Sequence, residues 1–225
     1  MRIVECEQGT DEWRLSRLSI PSASMYSSIV TTKGKWSKSA EKYIDQLVLE
    51  RITGMPTDFH LSEWMIRGTE LEPEARDMYT LMTGNEVQEV GFCLHDTLQA
   101  GCSPDGLVGE EGGLEIKVPM PETHEKYRVA GEKSGKPPSR YYAQIQGNLW
   151  ITQRQWWDFL SYNPDGGEHS FFLVRVQRDE KFIKSLEEHV GEAVRLIEEK
   201  VNSFLGSSDD EKIMAVKSML TARGK

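Results

Sequence analysis

Residues 103–118 read Ser-Pro-Asp-Gly-Leu-Val-Gly-Glu-Glu-Gly-Gly-Leu-Glu-Ile-Lys-Val, and this stretch restricts the fold more than any other. Leu114, Ile116 and Val118 alternate with Glu115 and Lys117, the period of two that marks a strand with one buried face. Residues 109–113 carry three glycines and form a turn signal. A strand ending near Asp105 therefore folds back as a hairpin against the strand that carries Glu115. That pairing sets Asp105 beside Glu115, with Lys117 on the same face.

Two carboxylates and an ammonium at one end of a hairpin suit a specific chemistry. Hard oxygen ligands favour Mg²⁺ or Mn²⁺ over zinc, because such ions take one or two carboxylates and complete their shell with water and phosphate. An ion held by Asp105 and Glu115 would acidify water and draw charge from a scissile phosphodiester, and a second ion would stabilise the leaving oxygen. Lys117 could orient the attacking water or meet the growing negative charge. The plain alternative is a solvent-facing Glu/Lys pair on an ordinary hairpin, since Glu-x-Lys triplets are common by chance.

The surrounding pattern is that of an α/β chain. Residues 11–18, with Thr10 or Asp11 as cap, and 22–30 suggest short helices, broken apart at Pro21. Ile44, Leu47, Val48 and Ile52 give a helix over 39–53, ended by Gly54 and Pro56. Leu71, Ala75, Met78 and Met82 form another stripe; Pro73 either starts that helix or kinks a longer one. Strands follow at 87–94, 98–107, 114–118, 156–162 and 170–176, with a helix over 140–151 between the third and fourth. A long stripe from Phe182 to Phe204 marks a helix over 180–205, and 209–222 could add a short one. Together these give a mixed central sheet flanked by helices. With no linker or composition break, the reading is a single domain over 1–205 with a helical extension at 206–225.

Composition narrows the function classes. The N-terminus lacks the apolar core of a signal peptide and no stretch approaches a membrane span, so a cytoplasmic protein without membrane partners is expected. Cys6, Cys93 and Cys102 are scattered and odd in number, which argues against a disulfide framework, an iron–sulfur cluster or a zinc knuckle. The five histidines show no ligand spacing. A net charge of −9 runs against the basic footprint usual for nucleic-acid binding. Local basic segments remain: Lys126, Arg128, Lys133, Lys136 and Arg140 stand against Glu132 alone, and Lys33 and Lys35 flank Gly34 beside Trp36. An enclosed channel lined by these groups could be positive inside an acidic exterior; the alternative for both is a solvated loop.

Six pieces in order extend the hairpin into a family pattern. They are Glu7-Gln8-Gly9 with Trp13 and Arg17, Ser22-Ala23-Ser24, Gly68 with Glu72 and Ala75-Arg76, Cys102 to Leu107, Leu114 to Lys117, and Ala143 to Gln146. In these the chain resembles the lambda exonuclease-like viral recombinase (YqaJ-type) family of the PD-(D/E)XK nuclease superfamily, up to about residue 180. The resemblance implies a restriction-endonuclease-like core and a metal-dependent exonuclease on linear double-stranded DNA. Such an enzyme digests 5′ to 3′, releases mononucleotides and leaves a 3′ overhang for phage-type recombination. It also implies Mg²⁺, two ions with Mn²⁺ able to substitute, a homotrimeric ring around the duplex, and a single-strand annealing recombinase as partner.

By the same resemblance Asp105, Glu115, Ile116 and Glu72 form the metal set, with Lys117 and Gln144 completing the catalytic group. Glu70 and Glu74 compete with Glu72, which could instead close a Thr69-x-x-Glu72 capping box, and Gln146 competes with Gln144. Arg17, Ser24 and Ser103 match residues that cradle a terminal 5′-phosphate, a dianion suited to a guanidinium fork and hydroxyl donors. Trp13 could stack on a base, Met65 takes the place of an apolar wedge between strands, and Lys33 and Lys35 are candidate DNA contacts. Two other classes stay open: a structure-selective or restriction-type endonuclease on the same fold, and a non-catalytic DNA-binding subunit.

Overall fold

The computed structural model describes residues 1–57 and 63–223, without the side chains at 63–65, 217 and 220–223. In chain order the elements are β1 (Arg2–Val4), α1 (Asp11–Ser16), α2 (Tyr26–Ile29), α3 (Ala40–Thr53), α4 (Glu63–Thr83), β2 (Val87–Gln88), β3 (Phe92–Leu94), β4 (Gly101–Cys102), β5 (Gly106–Val108) and β6 (Gly112–Lys117). There follow α5 (Pro121–Ser134), α6 (Tyr142–Thr152), β7 (Trp156–Tyr162), β8 (Phe171–Gln177), α7 (Glu180–Gly206) and α8 (Asp209–Arg223). Local chemistry explains several boundaries. The Thr10 hydroxyl accepts the Trp13 N–H to cap α1, the Asp179 carboxylate caps α7 through Phe182 N–H, and left-handed glycines at 54 and 135 stop α3 and α5.

A mixed five-stranded sheet runs β2-β5-β6-β7-β8, antiparallel except for the parallel pair β6–β7; β1-β3-β4 form a smaller antiparallel sheet. The parallel pair requires a crossover, which α5 and α6 supply. Leu114, Ile116, Leu160 and Tyr162 pack with Ala75 and Tyr79 of α4 on one face. Trp157 and Phe159 join Ile145, Leu149 and the apolar stripe of α7 in the larger core on the other. With helices on both faces, β6 is buried on both, not on one as its alternation suggests.

Other expectations are corrected in detail. The strands expected at 87–94 and 98–107 each divide between the two sheets. Pro104 has no N–H to offer a ladder, and at Gly91 the chain passes so close to the Val4 and Cys6 carbonyls that a side chain would collide with them. Gly112 and Gly113 belong to β6 rather than to the turn, because a Cβ at either would overlap the Trp156 or Trp157 ring. The helix expected near residue 71 starts earlier and runs through Pro73, whose side is exposed. Thr69 thus sits inside α4, so Thr69-x-x-Glu72 does not mark the start of the helix.

The basic stretch after Lys117 is not a loop. Pro121 in the first turn starts α5, and Arg128 is held by Glu125 and Glu132, so its charge is already matched on the helix. At the C-terminus α8 returns along α3 and α7, with Met219 against the larger core. Among the described residues no helix is long and apolar enough to cross a membrane.

Candidate active site

β6 outruns its hairpin partner. Gly106 pairs with Leu114, so one step further Asp105 falls opposite Glu115 and Pro104 opposite Ile116. Pro104 cannot donate there, and the Asp105 side chain turns into the gap: its Oδ2 accepts the Ile116 N–H at 2.6 Å. The N–H and C=O of a strand residue point to the same edge, so the Ile116 carbonyl lies on the edge that Asp105 occupies. The hairpin predicted from sequence therefore brings Asp105, Glu115 and Ile116 together as expected.

Glu115 is fully buried and held from three directions. Its Oε1 accepts Gln144 Nε2 at 2.6 Å and pairs with Lys117 Nζ; its Oε2 accepts Asn148 Nδ2 at 3.1 Å. Gln144 and Asn148 lie one turn apart on α6, which places both amides over the carboxylate. The Tyr141 ring, 5.5 Å from Lys117 Nζ, flanks the ammonium. Gln146 is engaged elsewhere, donating to the Gln177 carbonyl and accepting Asp179 N–H, so the choice between the two glutamines falls to Gln144.

Glu72 approaches from α4. Arg76, one turn on, donates to it at 2.7 Å, reaches the Asp105 carbonyl at 3.3 Å and pairs with Glu89 at 3.1 Å. Of the competing acids, Glu74 accepts the Tyr162 hydroxyl and Glu70 is exposed, which leaves Glu72 beside the centre.

The electrostatics are those of crowded acids. Burial pushes Glu115 up to about 7, and Asp105 adds to the rise against Lys117 and Asn148. Burial and Asp105 together push Glu72 up to about 7, against the pull of Arg76 and Lys117. Burial likewise raises Asp105, opposed by Lys117, the Ile116 N–H and Arg76. Burial by itself lowers the Lys117 pKa, but Glu115 and Asp105 hold its proton and place it above the ordinary lysine range. Among the described residues no three acids, cysteines or histidines close into a ready metal cluster; Arg76 holds Glu72, while Lys117 and Gln144 hold Glu115. The donor set still fits a hard divalent cation. Three buried oxygen acids, of which Asp105 raises the pKa of Glu115 and of Glu72, with a strand carbonyl at their edge, are relieved by positive charge among them.

A second cluster joins this centre through Ser103. Trp13 Nε1 donates to Ser103 Oγ at 2.9 Å, and the Arg17 guanidinium lies over the Trp13 ring, 4.3 Å from its centroid. Arg17 Nη2 donates to Ser22 Oγ at 2.9 Å, and Ser22 and Ser24 share a hydroxyl contact at 3.1 Å. Arg17, Ser24 and Ser103 are thus brought together, with Ser22 as an unpredicted link. One face of Trp13 carries Arg17, so the ring serves this cluster whatever else it meets. Burial lowers the Arg17 pKa, opposed by Tyr43 and Glu50.

Lys33 and Lys35 lie on a tight turn that docks on α7, Gly34 against Ser185 and Trp36 edge-on to His189. Among the described residues no hydrogen bond or ion pair ties them to the carboxylate centre. The side chain of Met65 lies outside the described residues. Sequence reading missed Asn148, the bridging role of Arg76, and Gln8, whose Nε2 ties the Val90 and Pro104 carbonyls together at 2.9 and 2.8 Å. The signal for the first two was available, as each sits four residues from a predicted site residue on the same helix.

Comparison with known proteins gives a consistent result. A model of the YqaJ-like viral recombinase domain matches residues 12–155. The chain is 36% identical to LHK-Exo, an alkaline exonuclease from Laribacter hongkongensis, over 86% of this chain and 95% of that one, with a TM-score of 0.77. A structure of LHK-Exo with dAMP matches equally. A phage related exonuclease from Haemophilus somnus 129PT, 16% identical, shares the fold with a TM-score of 0.66 over 82% of this chain and 96% of that one. The Escherichia coli (strain K12) protein ExoD is 32% identical over 74 residues, 33% of this chain and 83% of that protein.

Proposed function

The chain belongs to the YqaJ-like viral recombinase family, of phage-exonuclease type on a PD-(D/E)XK fold, and from that premise we propose that it is a magnesium-dependent 5′-to-3′ exonuclease on linear double-stranded DNA. It releases mononucleotides and leaves a 3′ overhang. The observation that carries this reading is the Asp105–Glu115–Lys117 constellation, built by the overhang of β6 past β5.

Asp105, Glu115, Glu72 and the Ile116 carbonyl would hold the cation, two ions being the full complement, with Mn²⁺ able to replace Mg²⁺. Bound there, such an ion supplies Lewis acidity that draws charge from the scissile phosphate and makes water acidic enough to attack. The chain's own groups do the rest. Lys117, charged at all working pH values, offsets the negative charge that develops on phosphate, and Gln144 offers an amide to a phosphate oxygen or water. Arg17, with Ser22, Ser24 and Ser103, offers a guanidinium and hydroxyls to a terminal phosphate, which carries more charge than a diester link and so favours chain ends. Trp13 holds Arg17 and Ser103 in one frame.

The same reading includes a homotrimeric ring that encircles the duplex, so that an acidic chain stays on DNA by topology rather than by charge, and a single-strand annealing recombinase as partner. The deciding experiment digests linear duplex bearing 5′-phosphate or 5′-hydroxyl ends, and covalently closed circles, with Mg²⁺ or chelator. Mononucleotides released from 5′-phosphorylated ends in Mg²⁺ alone are expected. Cutting of closed circles would move the chain to the endonuclease class, and digestion in chelator would remove the metal.

A further inference from the structure

The two amides on Glu115 differ in kind. Gln144 is half-buried and shares Oε1 with Lys117, so that oxygen has two donors. Asn148 lies one turn deeper on α6, 1% exposed, and alone serves Oε2 among the described residues. Its helix is closely seated: Ile145, Leu149 and Ile151 are in the larger core, Gly147 packs directly on the Tyr26 ring, and the Asn148 carbonyl accepts Thr152 Oγ1 at 2.7 Å.

We propose that Asn148 is a positioning residue that pins Oε2 of Glu115 to α6, so that Oε1 is the oxygen presented to a divalent cation. This deepens the metal-dependent reading and rests on it. A neutral amide suits the task, because it fixes the carboxylate's rotation without cancelling the charge that attracts the ion. A buried lysine or arginine in its place would compete with the cation. A buried carboxylate oxygen with no donor would swing toward Lys117 and Gln144, and the ligand would lose its direction.

The test titrates metal-free protein with Mn²⁺ by isothermal calorimetry, comparing wild type with Asn148→Ala and Glu115→Gln, and follows digestion of linear duplex against Mg²⁺ concentration. Asn148→Ala is expected to bind Mn²⁺ about tenfold or more weakly, and its rate is restored by excess Mg²⁺. The rate of Glu115→Gln is not restored. If Asn148→Ala does not fold, Asn148→Leu, which fills the volume without a donor, is read in its place. Wild-type Mn²⁺ affinity in a folded Asn148 variant, or a loss of rate that no Mg²⁺ concentration recovers, overturns the positioning role alone. Absence of Mn²⁺ binding by the wild type overturns the metal reading and this inference together.

Discussion

Asp105 carries two duties that a pair of substitutions separates. Its charge belongs to the proposed cation site, while its Oδ2 satisfies the Ile116 N–H where Pro104 cannot pair with β6. Asp105→Asn and Asp105→Ala both remove the charge and relieve the burial that raises this carboxyl's pKa, so that gain is common to both. Only Asn keeps an oxygen for Ile116. A net neutral hydrogen bond contributes about 0.5–1.5 kcal/mol, and a buried N–H left without an acceptor costs about 1–3 kcal/mol. Asp105→Ala should therefore be less stable than Asp105→Asn by about 1–2 kcal/mol, at roughly 2–4 °C in Tm per kcal/mol for a chain of this size. Urea denaturation in chelator measures that difference. Digestion of linear duplex in Mg²⁺ should fall about 10²–10³-fold in both variants, because each takes a charged ligand from the cation that would stabilise the reacting phosphate. An Asp105→Asn protein that digests within tenfold of wild type would remove Asp105 from the chemistry. Equal stability of the two variants would show that the Ile116 bond does not hold the hairpin end.

Three further outcomes follow from the same geometry. In chelator, Glu115 stays protonated up to about 7 in the folded protein, against 4.5 for an ordinary glutamate. Its contribution is full below pH 4.5 and is lost as pH rises through 7, so wild type should lose up to about 3 kcal/mol more than Glu115→Gln over that range in denaturation experiments. A parallel pH dependence in the two proteins would contradict this. Arg17→Ala should slow digestion from 5′-phosphorylated ends about tenfold or more while affecting 5′-hydroxyl ends less, and equal losses in end-labelled duplex assays would dissolve the terminal-phosphate pocket. Gly113→Ala should destabilise by about 1–3 kcal/mol in chemical denaturation, because its Cβ meets the buried Trp157 ring; an unchanged midpoint would mean the β6–β7 contact is loose.

Much of this molecule was written locally. The period of two around Glu115, a turn signal whose first three residues, 109–111, form the hairpin turn, and the apolar stripe of α7 are short-range signals, and each matches a hairpin or helix in the structure. The hairpin set Asp105 beside Glu115, and the ordered pieces of the family pattern singled that pair out from a plain Glu/Lys hairpin, which is why the centre of the site was legible. The sheet division was not, because residues 87–94 and 98–107 look like continuous β-formers until steric contacts at Gly91 and the missing N–H of Pro104 send each half to a different sheet. Nor was α5, whose polar, basic composition has a weak apolar stripe and is held by His124 on Ser161 and the His169 carbonyl.

The residue types, their spacing within one hairpin and the acid-rich total charge were determined by the sequence itself, since neighbours along a strand or helix meet by geometry alone. Which acid of α4 faces the hairpin, which amide of α6 reaches Glu115, and how Trp13 links Arg17 to Ser103 were decided only when distant segments packed. The physical reason is burial: these carboxylates, amides and cations take their partners and their altered ionisation from surroundings that exist only once the core has closed around them.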